Sequence, residues 1–195
     1  MSIREIGRQA FDYLISIICL IILSPVILIL AFAIKVSSNG PVVFSQERIG
    51  KSGKAFTLYK FRSMYHGSED GIPLLAGKKD PRITPVGRFM RKHKFDEIPN
   101  FINVLKGDMS IVGPRPEQLH FIREVILTTP EYNLVHEVKP GITSWGIVKY
   151  GYASNPGEMI KRLDYDLEYL ENRSFMFDLK IIFHTIGIII KGLGV

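Results

Sequence analysis

An uncharged run from Tyr13 to Ile34 limits what this chain can fold into more than any other stretch. It is 22 residues long, and about 20 apolar residues in a helix are enough to cross the hydrocarbon core of a bilayer. The run is too long for the apolar region of a signal peptide. We therefore predict a membrane-embedded segment here rather than the core helix of an ordinary soluble domain.

Ser24 and Pro25 lie in the middle of this run. Proline lacks a backbone N–H and disfavours helix at the preceding residue, so we predict a break in the membrane helix at Ser24-Pro25. Each half would be about 11 residues, or roughly 16 Å of helix, which is half the hydrocarbon thickness. Basic residues flank the run on both sides, which favours a re-entrant hairpin with both ends in the cytosol. A kinked helix that spans the bilayer once is the alternative.

The overall composition also indicates a membrane or a phosphorylated partner. Hydrophobic residues make up 46% of the chain beside 23% charged residues, and the net charge is +6. Such a content is high for a soluble protein, so part of the apolar surface is expected to face lipid. The positive charge suits a membrane surface, a phosphorylated substrate or nucleic acid. Because no nucleic-acid-binding motif is recognisable, we do not expect nucleic acid as a partner.

Candidate catalytic groups are concentrated in one short region that contains Asp96-Glu97 and, further on, Pro114-Arg115-Pro116. Adjacent carboxylates need a metal or a proton to coexist, and an arginine between two prolines is a stiff cation suited to binding phosphate. The pattern therefore suggests metal-assisted handling of a phosphate. Asp96 could instead cap a helix predicted over Glu97–Leu105. The two interpretations are compatible, because a helix N-terminus favours both carboxylates and phosphates.

Cations that could bind a phosphate precede the acid pair. Two strands are predicted over Val42–Ile49 and Phe56–Met64, and Lys60 and Arg62 share one face of the second. They could bind a pyrophosphate or form an ordinary solvated strand face. Arg88 and Arg91, on a helix predicted over Val86–His93, would lie within reach of the acid pair if the chain turns at Lys94.

Several motifs occur in a fixed order along nearly the whole chain. They are Val43-Phe44-Ser45-Gln46-Glu47-Arg48-Ile49-Gly50, Tyr59-Lys60-Phe61-Arg62-Ser63-Met64, Asp96-Glu97-Ile98-Pro99-Asn100, Asn103-Val104-Leu105-Lys106-Gly107-Asp108-Met109-Ser110, Val112-Gly113-Pro114-Arg115-Pro116 and Lys139-Pro140-Gly141-Ile142-Thr143. This set resembles the bacterial sugar transferases, also called monotopic phosphoglycosyl transferases. Such a match is far more specific than any single motif.

The resemblance implies an α+β fold. A re-entrant helical hairpin over residues 1–38, broken at Ser24-Pro25, would insert into the membrane. Residues 39–195 would form a small cytosolic catalytic domain of helices, with a short β-hairpin and interfacial amphipathic helices. This would be the minimal catalytic form of the family, on the cytosolic face of the bacterial inner membrane, in contact with membrane lipids.

The activity implied by the resemblance is transfer of a sugar-1-phosphate from a UDP-sugar to polyprenyl (undecaprenyl) phosphate, with release of UMP. Asp96 would attack the sugar-bearing phosphorus and form an aspartyl-phosphosugar intermediate, and Glu97 would share a Mg²⁺ ion with Asp96 or assist proton transfer. Lys60, Arg62, Arg88 and Arg115 would hold phosphate oxygens. The reaction would initiate assembly of a bacterial glycoconjugate such as O-antigen, capsule, exopolysaccharide or glycoprotein.

The chain departs from the common family pattern over Thr143–Tyr152, so the identity of the sugar is not carried over. In this stretch Tyr150 and Tyr152 could stack on a base or take part in ordinary packing. The final helix, predicted over Ser174–Lys191, could lie in the membrane interface, pack in the core or form a homodimer contact. Two other functions stay open: a membrane-anchored glycosyltransferase that releases UDP, and a non-enzymatic basic membrane-binding protein.

Overall fold

The computed structural model describes residues 3–68 and 80–194. Helices predominate, and the two small sheets lie among them, which confirms the predicted α+β class. A long polar loop was predicted over His66–Arg82. Most of it lies outside the described residues.

Two helices begin the described chain, α1 (Ile3–Ile22) and α2 (Ser24–Ser37), and they are bent by 62° relative to each other. Pro25 lies in the first turn of α2, and the Ser24 hydroxyl donates a hydrogen bond of 2.8 Å to the carbonyl of Ile21. Proline is tolerated in a first turn but not in a helix interior. The structure therefore has its helix break at the predicted place.

The bent pair exposes much of its apolar surface. In the described ranges no single helix has both the length and the apolar character to cross a bilayer, whereas Glu5–Ile22 and Ser24–Ser37 meet that test jointly. Large apolar side chains that are at least two-thirds exposed on this pair are Ile21, Ile22, Leu28, Ile29, Phe32 and Val36. Such a surface suits lipid. The choice between a re-entrant hairpin and a broken span stays a prediction.

Two acidic side chains anchor α1 on the rest of the chain. Asp12 accepts hydrogen bonds from the Ser110 hydroxyl at 2.6 Å and from the Ile111 N–H at 3.3 Å. Near the start of the same helix, Arg8 Nε lies 2.7 Å from the carboxylate of Asp178. Close contacts thus cross the predicted boundary at residue 38, and the division into two domains stays a prediction.

An antiparallel hairpin of β1 (Val43–Ile49) and β2 (Ala55–Phe61) follows the bent pair. The predicted second strand is confirmed, although it ends at Phe61 rather than Met64. Lys60 lies opposite Phe44 in the register. Apolar side chains of α2 pack in one cluster with Phe61, so the end of β2 is fixed against the helical pair.

The acid pair follows α3 (Pro85–Lys92), whose N-terminus is capped by the Thr84 side chain. Lys94 then adopts the left-handed conformation with φ 56°, and residues 95–97 form a single 3₁₀ turn. The next helix, α4 (Asn100–Lys106), starts three residues later than predicted and has no side-chain cap. The capping interpretation of Asp96 is therefore wrong, because its carboxylate lies in a tight turn that precedes the helix.

A parallel pair of short strands, β3 (Ser110–Val112) and β4 (Gly141–Thr143), positions the segment that contains Arg115. Two segments of the backbone approach each other closely just after β3. A Cβ atom on Gly113 would lie 2.3 Å from the carbonyl oxygen of Lys139, so only glycine fits there. This close approach holds Pro114-Arg115-Pro116 against the segment Lys139-Pro140-Gly141.

The remaining helices are α5 (Leu119–Thr128), α6 (Trp145–Lys149), α7 (Pro156–Glu171) and α8 (Phe175–Lys191). An amphipathic helix is predicted over Pro130–Val138, but Pro130–Glu137 is a 3₁₀ helix instead. In α8, Ile181 is buried whereas Phe183 and Ile190 are more than two-thirds exposed. Core packing is therefore confirmed for one side of α8, and the membrane-interface and dimer interpretations of the other side stay predictions.

Candidate active site

A cavity of about 400 Å³ opens beside the acid pair. Groups that lie far apart in the sequence converge on it from the hairpin, from the turn after α3, from the segment after β3 and from the chain after α6. Charged and aromatic residues that line this cavity include the acid pair itself, Asp96 and Glu97, together with Lys60, Arg91, Arg115 and Tyr152. The fold thus brings Lys60, Arg115 and both acids of the predicted site into one space.

Asp96 is a buried carboxylate without a bonding partner. Its side chain lines the cavity while the residue is only 9% exposed. No hydrogen bond from the described residues reaches its oxygens. Burial raises the pKa of Asp96, and the negative charge of Glu97 raises it further against the opposing effect of Lys60. Asp96 is therefore a poorly solvated carboxylate whose oxygens are left free by the described residues to contact a ligand.

Glu97 has the opposite surroundings. Its Oε1 accepts hydrogen bonds from Lys60 Nζ at 2.8 Å and from Arg115 Nη1 at 3.1 Å. Burial alone would raise the pKa of Glu97, but the charges of Lys60, Arg115 and Lys94 outweigh it and hold that pKa well below its ordinary value. The pKa values of the two adjacent acids are thus shifted in opposite directions. Glu97 stays ionised, whereas burial disfavours the ionised form of Asp96.

The position of Arg115 is fixed by an ion-pair network as well as by its two flanking prolines. Arg115 Nε lies 3.7 Å from Glu117 Oε1. Glu117 is itself buried and accepts from Arg48 at 3.0 Å and from Arg162 at 2.9 Å. Because both of these arginines belong to other parts of the fold, the Glu117 carboxylate is fixed before a ligand arrives. Arg115 is consequently offered to the cavity from a preorganised ion-pair network.

Arg62 lines the cavity but is engaged elsewhere. Its guanidinium donates to the carbonyls of Ser38 at 2.7 Å and Asn39 at 2.9 Å. These carbonyls lie at and just beyond the end of α2, where a helix leaves acceptors unsatisfied. Arg62 therefore ties the helical pair to the hairpin, and the geometry does not favour its predicted role in substrate binding.

Arg88 does not lie where the sequence placed it. It is exposed and is absent from the cavity lining, whereas Arg91, one turn further on the same helix, lines the cavity and donates to the Ser63 hydroxyl at 2.8 Å. The left-handed turn at Lys94 sets the direction of the chain after α3. That turn brings the acids close to Arg91, so of the two arginines predicted within reach of the acid pair only Arg91 lines the cavity.

Sequence reasoning missed Glu117 as part of the site and left Tyr152 open between stacking on a base and ordinary packing. Glu117 follows directly on Pro116, so its position beside the predicted arginine was the available signal. Tyr152 lines the cavity, and its ring lies against the Arg115 guanidinium at 4.6 Å. It is therefore part of the site wall rather than of a remote core.

The acid pair has the donor set of a partial metal site. Within residues 3–68 and 80–194 there is no group of three or more His, Cys, Asp or Glu side chains placed to hold a metal ion. Glu97 Oε2, however, is buried without a partner, and the Asp96 carboxylate is unbonded. Mg²⁺ is commonly bound by one or two carboxylates together with substrate phosphates and water. The two acids fit an ion held jointly with a phosphate ligand, not one held by protein groups alone.

Comparison with known proteins identifies the family. The family model described as "Bacterial sugar transferase" matches residues 3–192. The chain belongs to the bacterial sugar transferase family. The match covers both the bent helical pair and the cavity, so the family resemblance of the motifs is confirmed.

Two relatives of this chain are named for the reaction that they catalyse, and a third is named for exopolysaccharide production. A UDP-N-acetylgalactosamine-undecaprenyl-phosphate N-acetylgalactosaminephosphotransferase of Aeromonas hydrophila is 42% identical, over 96% of this chain and 44% of the relative. A UDP-glucose:undecaprenyl-phosphate glucose-1-phosphate transferase of Escherichia coli (strain K12) is 41% identical, over 95% of this chain and 40% of the relative. An exopolysaccharide production protein PSS of Rhizobium leguminosarum bv. phaseoli is 39% identical, over 92% of both. The chain thus spans less than half the length of the first two of these sugar transferases.

Proposed function

We propose that this chain transfers a sugar-1-phosphate from a UDP-sugar to polyprenyl phosphate and releases UMP. The observation that carries the proposal is the unbonded, buried carboxylate of Asp96 in a cavity lined by Lys60, Arg91 and Arg115. Family membership and the names of the relatives support it. The relatives are named for different sugars, so the sugar stays unassigned.

The reaction would proceed in two displacements at one phosphorus. A carboxylate oxygen of Asp96 attacks the sugar-bearing phosphorus of the donor, the bond to the bridging oxygen breaks, and UMP leaves with the electron pair. The phosphosugar is then an acyl phosphate on Asp96. A phosphate oxygen of the polyprenyl phosphate attacks the same phosphorus, and the Asp96 carboxylate is regenerated as the leaving group.

The surrounding charges would serve both displacements. Charge accumulates on the phosphoryl oxygens and on the leaving oxygen, and preorganised cations in a water-poor site stabilise it well. Lys60 and Arg115 already donate to Glu97, and each has further N–H donors for a phosphate oxygen. Glu97 keeps these cations in place, which explains why an ionised acid is needed beside the nucleophile.

A Mg²⁺ ion bound by Asp96 and Glu97 with the donor pyrophosphate would supply additional charge neutralisation. The protein's part is to present the two oxygen donors: the buried Glu97 Oε2 and the Asp96 carboxylate. Chelation of divalent ions should therefore stop turnover.

The covalent step would let two very different substrates use one site in turn. The donor is water-soluble, whereas the acceptor is a lipid whose phosphate lies at the membrane surface. The exposed apolar side chains of the bent pair, and a net charge of +6, support a position at an anionic membrane surface. We place the cavity on the cytosolic face of the bacterial inner membrane, where the product would initiate glycoconjugate or exopolysaccharide assembly.

Product identity tests the proposal. Purified protein in detergent would be given Mg²⁺, undecaprenyl phosphate and a panel of UDP-sugars, and UMP and UDP would be measured separately. We expect UMP, dependent on metal, and a stoichiometric burst of UMP when the lipid is omitted. UDP as the product would favour a glycosyltransferase that moves the sugar alone. Multiple turnovers that need the lipid, with no burst in its absence, would argue against the aspartyl intermediate.

A further inference from the structure

Tyr152 lines the cavity next to the acid pair, and the proposed reaction gives it no task. We propose that the Tyr152 hydroxyl donates a hydrogen bond to a phosphoryl oxygen of the group that reacts at Asp96, and is thus a phosphate-binding residue of the active site. This inference rests on the proposed function, because that function supplies the phosphoryl group.

The ring of Tyr152 is held beside the acid pair by two cations. The Arg115 guanidinium carbon lies 4.6 Å from the ring centroid, and Lys94 Nζ lies 5.3 Å from it. Both contacts fall within the range of favourable cation–π interactions. Since Arg115 also donates to Glu97, one guanidinium links the ring directly to the acid pair.

The hydroxyl of Tyr152 has no partner among the described residues. A largely buried tyrosine hydroxyl usually has a hydrogen-bond partner. Because the side chain lines the cavity, the ligand that fills this space is the natural partner. An oxygen-rich ligand such as a phosphoryl group is an acceptor at every oxygen.

The protonation state of Tyr152 fits a donor. Burial, together with the negative charges of Glu97 and Asp96, holds the pKa of Tyr152 well above its ordinary value. The phenol therefore stays neutral and keeps its O–H proton. Lys60 and Arg115 share their donors with Glu97, whereas the Tyr152 donor is committed to no described residue.

A rigid turn places Tyr152 in the cavity. Gly151 adopts φ +99° and donates from its N–H to the carbonyl of Gly146 at 3.3 Å, which reverses the chain after α6. The helix itself is fixed, because the Trp145 indole N–H donates to Glu168 at 2.9 Å. Tyr150, on the other side of this turn, is 37% exposed and does not line the cavity. The same short segment therefore offers a matched control tyrosine.

The test compares Tyr152→Phe with Tyr150→Phe in the full chain. Two quantities would be measured: the kcat and KM of UMP release from UDP-glucose and UDP-N-acetylgalactosamine with undecaprenyl phosphate, and the Kd of UDP. Removing one donor from a phosphoryl group should lower kcat by about tenfold to a hundredfold and raise the Kd of UDP by about threefold to tenfold. Tyr150→Phe should leave both within about twofold, and neither variant should change the melting temperature by more than about 2 °C.

The outcomes separate the two proposals. Wild-type kcat and UDP affinity in Tyr152→Phe, with UMP released by the wild type, would overturn the role of Tyr152 and leave the function standing. Weaker UDP binding in Tyr152→Phe alone, with no UMP released by the wild type from any UDP-sugar of the panel described above, would support the phosphate contact and speak against the function. A wild-type protein that neither binds UDP nor releases UMP would overturn both.

Discussion

Two groups of acids in this protein are built in opposite ways. Asp12 and Asp178 anchor α1, and each carboxylate has its donors: Ser110 and Ile111 for Asp12, Arg8 and the Tyr169 hydroxyl for Asp178. At the cavity, none of the described residues donates a hydrogen bond to Asp96 or to Glu97 Oε2. Burial without partners is costly, so unpaired groups persist where function needs them. The incomplete group marks the place where a ligand supplies the missing contacts.

Asp96→Asn is the sharpest way to test this contrast. We expect UMP release to fall by a factor on the order of 10³ or more, because an amide cannot act as the nucleophile. Stability should not fall. The folded-state pKa of Asp96 is raised, so its contribution to stability is present below about pH 4 and is lost as pH rises through the folded pKa. The variant should therefore match or exceed the wild-type melting temperature at pH 7 and lose that advantage near pH 4.

Asp178→Asn is the matched control from the anchoring group. Because Asn keeps an acceptor oxygen, Asp178→Ala is measured beside it: this variant removes the acceptor of Arg8 and of the Tyr169 hydroxyl, so its melting temperature should fall while the folded protein retains its rate of UMP release. Near-normal turnover by Asp96→Asn would remove the basis for a covalent intermediate.

Arg115→Lys should have the next largest effect, a loss of about a hundredfold in kcat/KM. A lysine cannot both donate to Glu97 and stack on the Tyr152 ring as the planar guanidinium does. Steady-state kinetics of UMP release would measure the loss. Arg88→Lys is the control, because Arg88 is exposed and outside the cavity lining. Equal losses in both variants would restore Arg88 to the site.

Asp12→Ala tests the anchoring group. The Ser110 hydroxyl and the Ile111 N–H would lose their acceptor, so the free energy of unfolding should fall by about 1 to 3 kcal/mol. Denaturant unfolding in detergent would measure it. Asp12→Asn keeps an acceptor oxygen and should lose less. An unchanged free energy of unfolding in Asp12→Ala would mean that the hydrogen bonds of Asp12 do not contribute to holding α1.

The smallest expected effect concerns Asp166, a buried acid beside Arg162. Burial raises the pKa of Asp166 to about 6. This folded-state value lies above the ordinary aspartate value of about 3.9, so its contribution to stability is present below about pH 4 and is lost as pH rises through 6. The melting temperature of Asp166→Asn relative to wild type should therefore increase between pH 4 and pH 7. A difference that stays constant across this range would show that Asp166 does not titrate there.

The features that were predicted correctly depend on the residue types of one short segment or of one sequence motif. The helix break at Ser24-Pro25 follows from the missing N–H of proline, and the hairpin follows from its alternating pattern and glycine turn. The convergence of Lys60 and Arg115 on the acid pair was expected from the family motifs. In each case the residue types themselves carry the constraint.

Sequence reasoning failed where a distant segment supplies the partner. Strand alternation places Arg62 on the face of Lys60 but cannot indicate that the end of α2 lies beside it. Helix periodicity cannot choose between Arg88 and Arg91, because the choice depends on a left-handed turn at Lys94, a residue type that rarely adopts this conformation. The position of Tyr152 likewise depends on how α6 packs against α7.

Removing α1 and α2 to obtain a water-soluble fragment would damage the cavity wall. Arg62 donates to the carbonyls of Ile34, Ser38 and Asn39, so a fragment that starts after α2 loses one acceptor and the helix that orders the others. Lys60 lies at the end of β2, two residues before Arg62, so loss of the Arg62 contacts would also make Lys60 less ordered. Protein engineers who exchange the bent helical pair for another segment should therefore retain the last turn of α2, or replace Arg62 at the same time.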